Sequence, residues 1–182
     1  FGDKNPSGHL TMTMPKALGQ IPIYYNHLNT GRPVPEGVTE YRKYQSNYID
    51  VRNDPLYPFG YGMSYTTFEY GKPRLSATTM KADGSITLTV NVRNSGNRDG
   101  DEVVQLYIHD MVATIARPVK ELKGFERISL KAGESRDVTF TINADMLKFY
   151  NSNLQYVAEP GDFEAMVGGN SRDVQKIRFT LQ

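Results

Sequence analysis

Between Pro55 and Gly62 the chain carries two prolines and two glycines, Pro55, Pro58, Gly60 and Gly62, within eight residues. Proline removes a backbone donor and fixes φ, and glycine gives up conformational entropy on ordering. Neither a helix nor a regular central strand therefore runs through this stretch. Yet Leu56, Tyr57, Phe59, Tyr61, Met63, Tyr65 and Phe68 make it too apolar for a solvated linker. A rigid, irregular segment dense in aromatics reads as a strap that packs against something. Before the strap the sequence is rich in Pro and Tyr and weakly periodic; after it, apolar and polar residues alternate as in a β protein.

That alternation is explicit in Ile86-Thr87-Leu88-Thr89-Val90-Asn91-Val92, the mark of a half-buried strand. Asn94 to Gly100 is a turn cluster, and Glu102 to Asp110 resumes as a strand. Further alternating runs centre on Val138, Phe140 and Ile142, on Phe163, Ala165 and Val167, and on Ile177, Phe179 and Leu181. A first strand near Phe68 to Leu75 and a short one near Glu121 to Phe125 bring the total to about seven, the pattern of an immunoglobulin-like sandwich. The register predicts a core of Leu88, Val90, Leu106, Val138, Phe140, Phe163, Ile177 and Phe179 between two sheets. Gln105, Tyr107 and His109 fall on the outer strand face, where His109 reads as a surface histidine. Cys and Trp are absent, which excludes an antibody-type domain and leaves fibronectin-type geometry. Asn143 is placed to cap a helical turn over the residues that follow it. The fold class expected is all-β, a sandwich with a long irregular N-terminal extension.

Residues 1–35 are punctuated by Asn5-Pro6-Ser7-Gly8, Met14-Pro15, Ile21-Pro22 and Gly31-Arg32-Pro33. Each is a turn or an X-Pro step that biases its neighbour to extended geometry. The short extended pieces between them, Leu10 to Met14 and Ile21 to Tyr25, read either as a long surface loop or as edge strands that lack their sheet. In the second case their backbone groups stand unpaired. Tyr41, Tyr44 and Tyr48 could draw a helical stripe, but Tyr is an indifferent helix former and no strong cap precedes them. That region reads as an irregular crossing segment.

These blocks resemble a known family. Pro58-Phe59-Gly60-Tyr61-Gly62-Met63-Ser64-Tyr65-Thr66-Thr67-Phe68 is similar to the connector that precedes the C-terminal fibronectin type III-like domain of glycoside hydrolase family 3 β-glucosidases, with Met63 where Leu is usual. Leu and Met have similar volumes, so the exchange is benign. Phe1 to Gly8, Thr13-Met14-Pro15, Gly19-Gln20-Ile21-Pro22 and Tyr24-Tyr25-Asn26-His27 resemble the closing segments of that family's α/β sandwich domain. Arg117 to Arg127, Lys131 to Ser135 and Glu159 to Phe163 resemble its C-terminal domain. The resemblance implies a boundary near Phe68. Residues 1–67 would be the tail of the α/β sandwich domain plus the connector, and residues 68–182 the fibronectin type III-like domain. It also implies a periplasmic or extracellular bacterial enzyme hydrolysing terminal non-reducing β-D-glucosyl residues. The partners would be an upstream (β/α)8 barrel and α/β sandwich domain of the same polypeptide, and the substrate a β-glucoside or oligosaccharide. A chain that opens on Phe1-Gly2-Asp3 reads as cut from something longer.

The totals narrow the chemistry. A net charge of +1 and the lack of any run of five or six like charges leave no electrostatic footprint for nucleic acid or an anionic membrane. No apolar stretch approaches the roughly 18 residues of a membrane span. Without cysteine there is no disulfide, thiolate metal site or Cys nucleophile. His9, His27 and His109 are isolated, with no metal-ligand spacing, and Gly60-Tyr61-Gly62 lacks the context of a phosphate loop, so neither a metal nor a cofactor is expected. A retaining glycosidase needs two carboxyl groups about 5–5.5 Å apart. Asp50 with Asp54, or Asp99 with Asp101, are candidates by spacing alone and read better as turn acids bonded to their own backbone. No block matches the family's catalytic Asp or Glu motifs, so no catalytic residue is assigned. Tyr24, Tyr25, Tyr57, Phe59, Tyr61 and Tyr65 either fill a domain interface or stack on sugar rings. The expected interface is Tyr57, Phe59, Gly60, Tyr61, Gly62 and Tyr65; substrate contact, if any, belongs to Tyr24, Asn26 and His27. The rival reading is a free-standing β-sandwich that binds carbohydrate or protein through exposed aromatics.

Overall fold

The computed structural model describes residues 2–35, 38 and 40–182. Strands follow one another in the order β1 (Phe68–Tyr70), β2 (Arg74–Leu75), β3 (Thr79–Met80), β4 (Ser85–Asn94), β5 (Gly100–Asp110), β6 (Glu121–Leu130) and β7 (Ser135–Asn143). A single helical turn, α1 (Ala144–Leu147), leads to β8 (Phe149–Tyr150), β9 (Tyr156–Val157), β10 (Gly161–Gly168) and β11 (Val174–Leu181). In one sheet β4 is bordered by β7 along one edge and by β1 and β2 along the other, all antiparallel. The other sheet runs β3-β11-β10-β5-β6, with only β3 and β11 parallel. β8 and β9 form a separate hairpin.

Period-two alternation places the core between the sheets. Ile86, Leu88, Val90 and Val92 of β4, with Val138, Phe140 and Ile142 of β7, meet Val104, Leu106 and Ile108 of β5 and Phe163, Ala165 and Val167 of β10. Phe163 stacks on Phe179 with ring centroids 5.4 Å apart. Ile177 is only half-buried, packed against the margin of this cluster. The Asn143 side chain accepts from Met146 N at 3.2 Å and so starts α1.

β6 is longer than the Glu121 to Phe125 segment expected from sequence. A register shift opposite Leu106 and Tyr107, beside Gly124, breaks the alternation, leaving Phe125 exposed while Ile128 and Leu130 return to the core. Asn94, fully buried at the end of β4, fixes the turn that follows. Its amide donates to Arg98 O at 2.7 Å and Leu130 O at 3.2 Å, and its Oδ1 accepts from Thr66 Oγ1 at 2.6 Å. The end of the strap is thereby tied to the first wide turn of the sandwich.

The described residues before β1 contain one 3-10 turn, Leu18–Gln20, and isolated bridges in place of strands. Tyr41, Tyr44 and Tyr48 lie on no helix and are exposed; Tyr44 takes a left-handed φ of 67°. Among the described residues no helix is long and apolar enough to cross a membrane.

Candidate functional site

The N-terminal pieces find partners in the strap. Leu10 N donates to Tyr61 O at 2.8 Å, Gly60 N to Leu10 O at 2.7 Å, Met14 N to Tyr57 O at 2.8 Å and Leu56 N to Met14 O at 2.8 Å. The expectation that these pieces leave their backbone groups unpaired is therefore corrected for Leu10 to Met14. The strap is the missing neighbour, and its prolines and glycines hid its pairing capacity. Two buried or half-buried amides reinforce the seam. Gln20 donates to Arg52 O at 2.7 Å and accepts from Lys16 N at 2.5 Å. Asn5 Oδ1 accepts from Ser64 Oγ at 2.9 Å and Tyr65 N at 2.8 Å, while its Nδ2 donates to Asp99 O at 2.9 Å.

The other side of the strap lies on the outer face of β5. Gly60 has φ +79°, and a Cβ there would stand 2.0 Å from Gln105 Oε1. Glycine is required twice over, by conformation and by approach. Gln105 Nε2 donates to Gly60 O at 3.2 Å and to Gly169 O at 2.7 Å, and its Oε1 accepts from Tyr107 Oη at 2.5 Å. Ser171 N donates to Phe59 O at 2.9 Å. Tyr25 stacks on Phe59 with centroids 4.4 Å apart, meets Tyr107 edge-on at 5.7 Å, and accepts at Oη from Leu122 N at 3.3 Å. Val119 N closes the seam on His27 O at 2.9 Å. Gln105 and Tyr107, read from sequence as facing water, are 3% and 0% exposed. The period was right but the face is roofed by Tyr25, Phe59 and Gly60. Burial pushes the Tyr107 phenol up, which keeps it a neutral donor. His109, on the same face, is half-buried rather than a surface residue, and desolvation lowers its pKa.

Of the residues expected at an interface, Phe59 and Gly60 touch the sandwich. Tyr57 and Tyr61 tilt against each other at 4.9 Å and pair with the N-terminal segment; a Cβ on Gly62 would press on His9. Tyr65 is exposed beneath the Arg98 guanidinium, 5.9 Å from its ring. Tyr24, Asn26 and His27 are exposed, and Tyr24 and His27 border a cleft of about 510 Å³ between the N-terminal segment, the strap and the sandwich. Three of the four candidate acids are engaged elsewhere: Asp54 with Lys16 and Arg52 at 2.7 Å each, Asp101 with Arg127 at 2.5 Å, and Asp99 with Ala132 N at 2.9 Å. No cluster of His, Asp and Glu suited to a metal occurs among the described residues. Sequence reasoning missed Gln105, Ser171 and Gln20, because an amide or hydroxyl in a loop or on an apparent outer face carries no periodic signal.

A second polar group lies under the joint. Glu102 is buried and accepts from Tyr70 Oη at 2.6 Å; it borders, with His9, Asp101 and Asp173, a cavity of about 280 Å³. Burial raises the Glu102 pKa above 4.5, opposed by the Tyr70 bond and by His9. A carboxyl with a raised native pKa favours the fold most below its unfolded value, and that contribution is lost as pH rises through the native value. Glu102→Gln keeps an acceptor for Tyr70 and removes the buried charge. It is expected to raise the melting temperature at pH 7 and to leave it unchanged near pH 4. Calorimetry at the two pH values checks this; destabilisation at pH 7 would show that the charge is favourably held.

Two protein-family models match. Residues 1–65 match the glycosyl hydrolase family 3 C-terminal domain, and residues 102–171 the fibronectin type III-like domain. A periplasmic beta-glucosidase of Salmonella typhimurium is 51% identical over 182 residues, covering 100% of this chain and 23% of that protein. A putative beta-xylosidase of Formosa agariphila is 41% identical, over 100% of this chain and 22% of its own. The crystal structure of a beta-glucosidase from Listeria innocua in complex with glucose superposes with a TM-score of 0.91 at 43% identity, over 99% of this chain and 25% of that one. The chain thus spans about a quarter or less of the length of these relatives.

Proposed function

The chain belongs to glycoside hydrolase family 3, matching the C-terminal part of its relatives, and we propose that it braces the catalytic domains of a periplasmic or exported β-glucosidase. The reaction proposed for the whole protein is retaining hydrolysis of terminal non-reducing β-D-glucosyl residues, with the nucleophile supplied by an upstream (β/α)8 barrel and the acid/base by the α/β sandwich domain. The carrying observation is the interlock at the joint. One face of the strap pairs with residues 10–14 and the other is keyed into β5 through Gly60 and Gln105. A movement of the sandwich is thereby transmitted to the segment that resembles the end of the α/β domain. The same N-terminal third exposes Met12, Leu18, Ile21, Leu56 and Met63, an apolar surface suited to a covering domain. Residues 1–67 as domain tail and connector, and 68–182 as the sandwich, are the division this reading uses.

The test is a graft. In the Salmonella relative, replacing the matching C-terminal region by this chain is expected to preserve aryl β-glucoside hydrolysis. Deleting that region is expected to yield inactive or insoluble protein. The 182-residue chain alone is expected to give no turnover above the buffer blank. A folded but inactive graft, a fully active deletion, or turnover by the chain alone that one Asp or Glu substitution abolishes would overturn the proposal.

A further inference from the structure

The cleft of about 510 Å³ between the N-terminal segment, the strap and the outer face of the sandwich falls within the range of small-molecule sites, about 300–1,000 Å³. We propose that it binds a neutral saccharide, with Tyr24 as the stacking platform.

Three observations fix the ligand class. The apolar part of the lining is flat or compact: Tyr24, 52% exposed, with Pro55, Pro58 and buried Met166. An exposed tyrosine beside prolines presents a ring face at little conformational cost, the arrangement that suits the C–H face of a pyranose. The charged groups lining the cleft are already engaged. Glu164 lies 3.6 Å from both Lys176 and Arg178, Asp54 is held by Lys16 and Arg52, Arg172 pairs with Asp173 at 3.2 Å, and Lys120 Nζ donates to Ser171 O at 2.6 Å. With its acids and bases so engaged, the cleft offers little to reward an anion or a cation against the loss of its hydration. What remains is neutral hydrogen-bonding capacity. Asn29 offers an amide, His109 offers an imidazole that desolvation favours in its neutral form, and Thr13 carries a buried hydroxyl with no partner among the described residues. A polyhydroxylated neutral ligand matches that set.

The choice of a β-linked glucose disaccharide as probe rests on the β-glucosidase reading, while the neutral-saccharide chemistry rests on the cleft alone.

Amide chemical shifts of the 182-residue chain, followed at pH 7 during titration with cellobiose, with glycerol as a control, test the proposal. Saturable shifts are expected at Tyr24, His109, Lys120 and Ser171. Tyr24→Ala, a change at an exposed ring, is expected to weaken binding at least tenfold while leaving the far-UV spectrum and the shifts of the sandwich core in place. A repeat with maltose separates the two ideas: maltose binding with no cellobiose binding supports the saccharide cleft and counts against the β-glucoside reading. Three results would overturn the cleft: no saturable shift with either sugar, equal shifts with glycerol, or shifts confined to the Tyr150 and Tyr156 hairpin. Shifts at these residues that grow with protein concentration alone would do the same, by showing that another copy of the chain occupies the space. The graft experiment reads the bracing role independently of all these outcomes.

Discussion

Phe163→Ala is expected to lower the unfolding free energy by about 3–5 kcal/mol, the usual loss when a buried phenylalanine is cut back to alanine. Phe163 is 1% exposed at the start of β10, stacked on Phe179 of β11 and opposite Asp110 of β5. Its removal empties a space walled by three strands of one sheet and capped by the other, which rigid ladders cannot close by small shifts. Urea denaturation of the wild type and the variant reads the difference, with exposed Val112→Ala as a surface control expected within about 0.5 kcal/mol of wild type. A loss below about 1 kcal/mol for Phe163→Ala would mean that the register of the sandwich is wrong, because a one-residue slip turns the ring to solvent.

The second large effect is expected at the joint. Gly60→Ala puts a methyl group on a residue with φ +79° and drives it to 2.0 Å from Gln105 Oε1. The left-handed backbone costs about 1–2 kcal/mol for an L residue. Displacing the Gln105 amide strips the buried Tyr107 hydroxyl of its acceptor and Gly169 O of a donor, a further loss of about 1–3 kcal/mol. The sum, on the order of 2–5 kcal/mol, falls on strap docking, with the core of the sandwich retained. Near-UV circular dichroism should lose the signal of the packed Tyr25, Phe59 and Tyr107 cluster while the strand signal in the far-UV persists. Unchanged near-UV spectra and stability would show that the strap does not lie against β5 as described.

The contrast between these two positions shows what the sequence could and could not reveal. Phe163 was legible because one face of a strand is buried between sheets, and burial writes itself as a period of two. The fold class followed from that period and from the turn clusters, and the family resemblance from blocks such as Pro58 to Phe68. The outer face of β5 was misread for the same reason. Gln105, Tyr107 and His109 look like the wet side of a strand because two of them are polar and one is amphipathic. Their cover comes from Tyr25 and Phe59, roughly 45 to 80 residues away in sequence and held in irregular segments, and periodicity carries no information about such pairs. The glycines of the strap signalled a close approach, but not that one glycine meets Gln105 and the next meets His9. The Leu10 to Met14 ladder was hidden because its partner contains two prolines, residues that argue against pairing in a regular sheet. The cleft beside Tyr24 was legible only as a group of neighbouring aromatic and polar residues, since the strap and sandwich supply its other walls.

Hydrogen exchange at single amides in the dilute 182-residue chain tests the interlock most directly. Slow exchange is expected at Leu10, Met14 and Gly60, whose donors are spent between the N-terminal segment and the strap, and at Ser171 and Val119, whose donors close the strap and Tyr25 segment onto the sandwich. Their protection should fall together in Gly60→Ala while Leu88, Leu106 and Phe163 in the core keep theirs. Exchange at Leu10, Met14, Gly60, Ser171 and Val119 as fast as in an unfolded chain, beside a fully protected sandwich core, would contradict the claim that the strap joins the two parts into one brace.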